Sequence, residues 1–229
     1  MSARFAAVIP AFECAATVGE VVRKTAVHVG TVVVVDDGSA DDTARRAAEA
    51  GALVLRHPEN RGKGRALQTG IAHCLDLAEP VDAIVLLDAD GQHDASEIPG
   101  LLSAWRSNCA QLVIGSRWSD PSLIPGERYW TNYIGSRILS RMSGVELDDS
   151  QSGFRVLSAA LAGRLRLRSR GYAVESEMLL KAARLGALIV NSPITAIYDE
   201  ACGKSHFRPV LDTVRICCAA IYTKVFDDT

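Results

Sequence analysis

Short, continuous apolar runs recur along this chain, separated by stretches of helix length with a different periodicity, and that alternation constrains the fold more than any other feature. Phe5–Ile9, Thr31–Val35, Leu53–Arg56, Ala83–Leu87 and Leu112–Ile114 are rich in Val, Ile and Leu. Runs of this kind read as strands buried on both faces. In the first gap Val18, Val21, Val22, Ala26 and Val29 make an apolar stripe at helical spacing, and Thr17 with Glu20 has the form of a capping box. Ser39 with Asp42, and Asp94 with Glu97, repeat that signal. Buried strands joined by helical crossovers predict a parallel sheet covered on both faces, an α/β doubly wound architecture. Sheets of this class bind ligands outside the carboxyl ends of their strands.

Beyond about residue 115 the strict alternation gives way to helical patterns around Arg128–Ser143 and Ser176–Leu185, a short strand near Ile189–Val190, and a terminal helix from Pro209. With no linker and no internal repeat, residues 1–229 read as one domain. Residues 1–117 form one wall of a cleft, residues 118–208 the other, and residues 209–226 an amphipathic helix.

Composition narrows the function classes. The chain is 48% hydrophobic and 23% charged, a globular composition, and 27 Asp plus Glu against 25 Lys plus Arg leave a net charge of −2. No global field attracts nucleic acid. The longest apolar runs, such as Ile216–Tyr222, fall short of the roughly 18–20 residues that span a bilayer. Met1-Ser2-Ala3-Arg4 leads straight into a strand-like segment without the pattern of a signal peptide, so a cytoplasmic location is expected. Cysteines 14, 74, 109, 202, 217 and 218 show no C-x-x-C pair and read as buried thiols rather than a zinc site or a disulfide framework.

Acidic clusters stand where strands end. Ala83–Leu87 runs into Asp88-Ala89-Asp90, which at period two puts both carboxylates on one side. Two hard oxygen ligands at the open end of a sheet suit Mg²⁺ or Mn²⁺ bridging a diphosphate, and Gln92 adds a third oxygen. A solvated turn is the bland alternative. The second strand ends in Asp36-Asp37-Gly38-Ser39, followed by Asp41-Asp42-Thr43. Helix capping accounts for Ser39 and Asp42 but leaves Asp36 and Asp37 without a structural task, and a carboxylate there can accept from a ribose or base. Gly62-Lys63-Gly64 is neither a dinucleotide fingerprint nor a Walker A loop.

Taken in order, Ile9-Pro10-Ala11-Phe12, Asp36-Asp37-Gly38-Ser39, Asn60-Arg61-Gly62-Lys63-Gly64, Asp88-Ala89-Asp90-Gly91-Gln92-His93 and Gly115-Ser116-Arg117 resemble the motifs of glycosyltransferase family 2, inverting enzymes of the GT-A fold. Asp149-Ser150-Gln151-Ser152-Gly153-Phe154-Arg155 and Gly171-Tyr172-x-x-Glu175-x-Glu177-Met178 are similar to the branch containing dolichol-phosphate mannose synthases and related polyprenyl-phosphate glycosyltransferases. The resemblance implies that Pro10, Ala11, Phe12 and Asp37 hold the nucleoside of a nucleotide-sugar donor, that Asp88, Asp90 and Gln92 hold Mg²⁺ or Mn²⁺, and that Arg117 contacts phosphate. The Asp149–Arg155 loop would lie beside the acceptor, with Ser152, Arg155 and Lys204 binding it. The first motif continues Glu13-Cys14 where the family usually has Asn-Glu, and Arg128 is the nearest candidate for a second phosphate-binding arginine.

The favoured acceptor is a lipid-linked polyprenyl phosphate. An ionised phosphate needs no base, whereas a saccharide hydroxyl, the runner-up acceptor, needs one, and Asp149 is the candidate. A nucleotide-sugar binding module without catalysis is the reading from another class. Arg164, Arg166, Arg168 and Arg170 alternate with Leu165, Leu167 and Ser169, as a solvated strand edge or as a surface for anionic headgroups. In the terminal helix Val210, Leu211, Val214, Cys218, Ile221, Tyr222 and Val225 make an apolar stripe for the core or a second subunit, in preference to peripheral membrane contact.

Overall fold

The computed structural model describes residues 3–119 and 126–195. The elements follow in the order β1 (Phe5–Ala11), α1 (Val18–Ala26), β2 (Thr31–Asp36), α2 (Thr43–Glu49), β3 (Leu53–Arg56), α3 (Lys63–Leu75), β4 (Ala83–Leu86) and α4 (Ile98–Ser107). They continue with β5 (Leu112–Ser116), α5 (Gly126–Ser143), β6 (Arg155–Ser158), α6 (Ala159–Ala162), α7 (Val174–Arg184) and β7 (Ile189–Pro193). One seven-stranded sheet has the order β3-β2-β1-β4-β6-β5-β7. Every neighbouring pair is parallel except those made by β6, which runs antiparallel to both β4 and β5. This is the GT-A architecture, an α/β sheet with helices on both faces.

The apolar runs do what continuous hydrophobicity demands, since alternate residues enter opposite cores. Ala6, Val8, Val33, Val35, Ile84 and Leu86 pack with Leu67 and Ile71 of α3 and Met178 and Leu179 of α7. Ala7, Ile9, Val32, Val34 and Val85 pack with Val18 and Val22 of α1 and Ile98 and Leu101 of α4. The inner strands β1, β2 and β4 therefore contribute burial on both faces, at roughly 25 cal/mol per Å² of apolar surface, whereas β3, expected to be buried, is an edge strand with Leu53 39% exposed.

Three local expectations give way to tertiary demands. Thr17 precedes α1, but its hydroxyl donates to the Ala89 carbonyl at 2.6 Å instead of capping the helix, tying the helix start to the β4 turn. Ser39 accepts from the Glu13 N–H at 2.9 Å, and Asp42 binds Arg45, so that pair forms no capping box either. Of the three expected boxes Asp94 alone caps through its side chain, accepting the Ser96 N–H at the start of the short 3₁₀ turn Ala95–Glu97. Residues 164–170 pair with no strand, although their exposure alternates as the pattern requires, with all four arginines outward. Cys109 is exposed and Cys14 half-buried, against the expectation of buried thiols, while Cys74 is buried and all three are unbridged. Cys202, Cys217, Cys218 and the terminal stripe from Val210 lie outside the described residues. Among the described residues no helix is long and apolar enough to cross a membrane.

Candidate active site

Because β1, β2, β4 and β5 share one direction, their carboxyl ends open on one edge, and β6 delivers its preceding loop to that same edge. Arg155 at the start of β6 lies opposite both Leu86 and Ile114, wedging the 149–154 loop between the tips of β4 and β5. The result is a cavity of about 390 Å³ lined by Pro10, Ala11, Phe12, Asp37, Asp88, Asp90, Gln92, Arg117, Gln151 and Glu175, among others.

Asp88 and Asp90 reach the cavity from a turn, since β4 stops at Leu86. Lys63 stands between Asp88 and Glu175, with its Nζ 2.6 Å from Asp88 Oδ1 and 2.7 Å from Glu175 Oε1. It lies 5.7 Å from the centre of the Tyr172 ring. Burial opposes charge on Asp88, but Lys63 and His93 outweigh it and hold the carboxyl well below its usual range. Burial likewise opposes charge on Lys63, and Asp88 with Glu175 outweighs it, keeping the ammonium charged. Asp90 goes the other way, raised first by burial and then by the neighbouring Asp88 carboxylate. Gly153 lets the loop close on this pair, since a Cβ there would lie 2.6 Å from Asp88 Oδ2.

Asp88, Asp90 and the Gln92 side chain offer two carboxylates and an amide oxygen to one space, a donor set that fits a hard divalent cation. Among the described residues there is no group of three His, Cys, Asp or Glu that could hold a metal alone. A cation here would therefore complete its shell with ligand oxygens and water.

Asp37 and Asp36 do have structural tasks. Asp37, 3% exposed, accepts the Arg61 and Gly62 N–H groups at 3.0 and 2.7 Å and binds His57 Nδ1 at 2.6 Å. Asp36 accepts the Ser39 N–H and pairs with Arg56. Asp37 nonetheless keeps a surface in the cavity, so it anchors the 60–62 loop where a ligand would lie. The glycines of Gly62-Lys63-Gly64 serve packing, because a Cβ at Gly62 or Gly64 would overlap the carbonyl oxygen of Arg170 or Ser169.

Asp149 and Arg155 differ most from expectation. Asp149 is fully buried, lies outside the cavity lining, and takes Arg117 Nε and Nη2 at 2.6 and 2.9 Å in a bidentate pair. Burial pushes its carboxyl up, but Arg117 prevails and lowers it. Asp149 thus positions Arg117 and presents no oxygen to an acceptor. Arg155 is 1% exposed, its guanidinium bound to the carbonyls of Ser150, Ser152 and Glu175 at 2.8 Å, so it staples the loop instead of reaching a ligand. Burial pulls it down to about 10 against the opposing pull of Glu175, Asp149 and Asp88. Ser152 is buried too, its Oγ accepting the Phe154 N–H. Lys204 and the Arg128 side chain lie outside what the structure describes. Cys14, in the departing first motif, lines the cavity with its thiol pushed up to about 11 by burial, and Glu13 takes φ +50°.

The glycosyl transferase family 2 model matches residues 6–162, the span that carries the first six strands and the cavity motifs. The chain belongs to glycosyl transferase family 2. It is a glycosyltransferase. An undecaprenyl-phosphate mannosyltransferase of Micrococcus luteus is 34% identical over 188 residues, covering 77% of this chain and 76% of that protein. An uncharacterized protein of Methanocaldococcus jannaschii is also 34% identical, over 96% of this chain and 91% of its own length. Among solved structures, glucosyl-3-phosphoglycerate synthase from Mycobacterium tuberculosis, crystallised with Mn²⁺, uridine diphosphate and phosphoglyceric acid, superposes with a TM-score of 0.76. It is 23% identical and covers 100% of this chain and 81% of that one, a likeness of fold. In this family 2 glycosyltransferase the cavity residues without an individual role in the sequence reading include Lys63, His93, Asn132, Gln151 and Glu175. Lys63 and Glu175 sit inside quoted motifs, but only the contact across 112 residues shows that Lys63 bridges the Asp88 and Glu175 carboxylates.

Proposed function

We propose that the protein transfers a sugar from a nucleoside-diphosphate sugar to a polyprenyl phosphate, with inversion and with the help of Mg²⁺ or Mn²⁺. One observation carries this reading: Asp37, Asp88, Asp90, Gln92, Lys63 and Arg117 converge on one cavity at the carboxyl ends of the strands. Asp37 and the Pro10–Phe12 segment border the part of it beyond β1 and β2, where a nucleoside fits. Asp88, Asp90 and Gln92 would hold the cation, which supplies charge neutralisation on a diphosphate. Arg117, fixed in direction by Asp149, adds a preorganised positive group for the charge growing on the departing nucleoside diphosphate. Lys63, held between Asp88 and Glu175, contributes a second fixed cation to the same cavity.

The commitment of Asp149 to Arg117 favours the phosphate acceptor over the hydroxyl. A phosphate attacks as its ionised oxygen, needs cations, and needs no base. The test is a donor screen that follows release of nucleoside diphosphate with and without polyprenyl phosphate, repeated in excess EDTA. Release that depends on both the lipid phosphate and the metal supports the reading. Equal release with a polyprenyl alcohol or a free sugar, or full turnover in EDTA, overturns it.

A further inference from the structure

In the otherwise exposed stretch 56–60, His57 alone is buried, and it lies outside the cavity lining. Strand pairing sets its place. Asp36 stands opposite Arg56 in the parallel β2–β3 ladder and its carbonyl accepts the His57 N–H at 2.9 Å, which brings the imidazole level with Asp37 one step further on. Nδ1 meets Asp37 Oδ1 at 2.6 Å, and Nε2 meets the Thr69 hydroxyl of α3 at 3.0 Å. An ionised carboxylate only accepts, so Nδ1 carries a proton; Nε2 then accepts from Thr69 in the neutral ring and donates to it in the cation. Because a hydroxyl can do either, the chain Asp37–His57–Thr69 survives both states.

A carboxylate offers about four acceptor positions. Among the described residues, Asp37 spends two on Oδ1, for His57 Nδ1 and the Arg61 N–H, and one on Oδ2, for the Gly62 N–H. The position left on Oδ2 can receive a single N–H or O–H. The three occupied positions act differently. Residues 57–62 lie over Gly38, where a Cβ would come 2.5 Å from the Glu59 carbonyl carbon, and the Arg61 and Gly62 N–H groups join this loop to the carboxylate. The imidazole joins both to α3. That helix is seated firmly on the sheet at the next position, since a Cβ on Gly70 would overlap the Val8 side chain. Without His57 the carboxylate and its loop could shift together, and binding would have to restore their order at a cost in affinity.

We propose that His57, backed by Thr69, is a positioning residue that holds Asp37 in the orientation in which its last acceptor position meets the nucleoside of the donor. The inference rests on the reading of Asp37 as a nucleoside contact, and the experiment separates the two. Affinities for UDP, GDP and inorganic pyrophosphate, each with Mn²⁺, are measured by calorimetry on the full chain. Pyrophosphate engages only the diphosphate part of the cavity, so it reports damage that is general. For whichever nucleoside diphosphate binds wild type more tightly, His57→Leu should weaken binding at least about tenfold while the pyrophosphate affinity stays within about twofold. His57→Asn, which keeps an N–H near the position of Nδ1, should recover most of that loss, and Thr69→Val should cost about threefold. Asp37→Asn should weaken the nucleoside diphosphate as well and spare pyrophosphate.

Wild-type nucleoside-diphosphate affinity in His57→Leu, beside a loss in Asp37→Asn, overturns the role of His57 and leaves that of Asp37 standing. Wild-type affinity in Asp37→Asn removes the nucleoside reading of Asp37, and the inference with it. Equal losses for pyrophosphate and nucleoside diphosphate in His57→Leu, or no recovery in His57→Asn, reduce His57 to general packing and also overturn the proposal. If His57→Leu does not fold, His57→Asn and Thr69→Val carry the same comparison: a selective loss for the nucleoside diphosphate in Thr69→Val, larger than in His57→Asn, supports the chain of contacts, and none in either variant overturns it.

Discussion

Asp149→Asn separates the two roles open to this carboxylate. In the structure it is fully buried and grips Arg117 through two charge-assisted bonds of 2.6 and 2.9 Å, with a third contact from the Arg117 N–H at 3.2 Å. The amide keeps the shape but turns one acceptor into a donor facing a guanidinium, and leaves the 13%-exposed arginine without its counter-charge. Breaking a buried pair from one side costs about 3–5 kcal/mol. For a domain of this size each kcal/mol lowers Tm by about 2–4 °C, so a fall of about 6–20 °C is expected. Arg117 loses its direction with its partner, so kcat for transfer to polyprenyl phosphate should fall at least about tenfold. The pH profile supplies a further check. The folded carboxyl is lowered, so its contribution to stability is present above about pH 4 and is lost as pH falls through the folded value. The variant should therefore lose stability at neutral pH and show a flatter acid limb in thermal melts. An unchanged Tm with unchanged kcat on the phosphate, and activity lost only toward hydroxyl acceptors, would refute the positioning role and restore Asp149 as a base.

Three further outcomes follow from the same geometry. Asp90→Ala should abolish the dependence of turnover on Mg²⁺ or Mn²⁺ together with most turnover, while the melt stays cooperative; metal-dependent activity in the variant at the wild-type rate speaks against Asp90 as a ligand. Lys63→Met strands the Asp88 and Glu175 carboxylates, and the expected loss of about 3–5 kcal/mol in urea titrations should be partly restored by adding Asp88→Asn, whereas strict additivity would show that the pair is not coupled. Gly64→Ala drives a methyl into the Ser169 carbonyl and should cost about 1–3 kcal/mol, with no matching loss when Gly100, whose Cβ would meet nothing within 4 Å, is changed to Ala.

The sequence by itself determined the parts that depend on neighbours along the chain. Five apolar runs and the helices between them follow from periodicity, and parallel order follows from the crossovers, so the strand tips that hold Asp37, Asp88 and Asp90 share one edge without further information. Small differences at element ends, such as β4 stopping at Leu86, come from the chain turning to bring Asp88 and Asp90 around. What periodicity could not reveal is β6: Arg155–Ser158 is four residues long and gains its identity only by pairing between β4 and β5. That insertion decides the chemistry of the acceptor side. It turns Arg155 from a ligand-facing cation into a buried staple on three carbonyls, hands Asp149 to Arg117, and presses Gly153 against Asp88. Likewise the charge state of Lys63 rests on carboxylates 25 and 112 positions away, and the glycines around it answer to a backbone more than 100 residues on. Residue types announce which groups can carry charge; only the packed fold fixes which charges face each other and which face a ligand, because burial and partner distance set the energy of each.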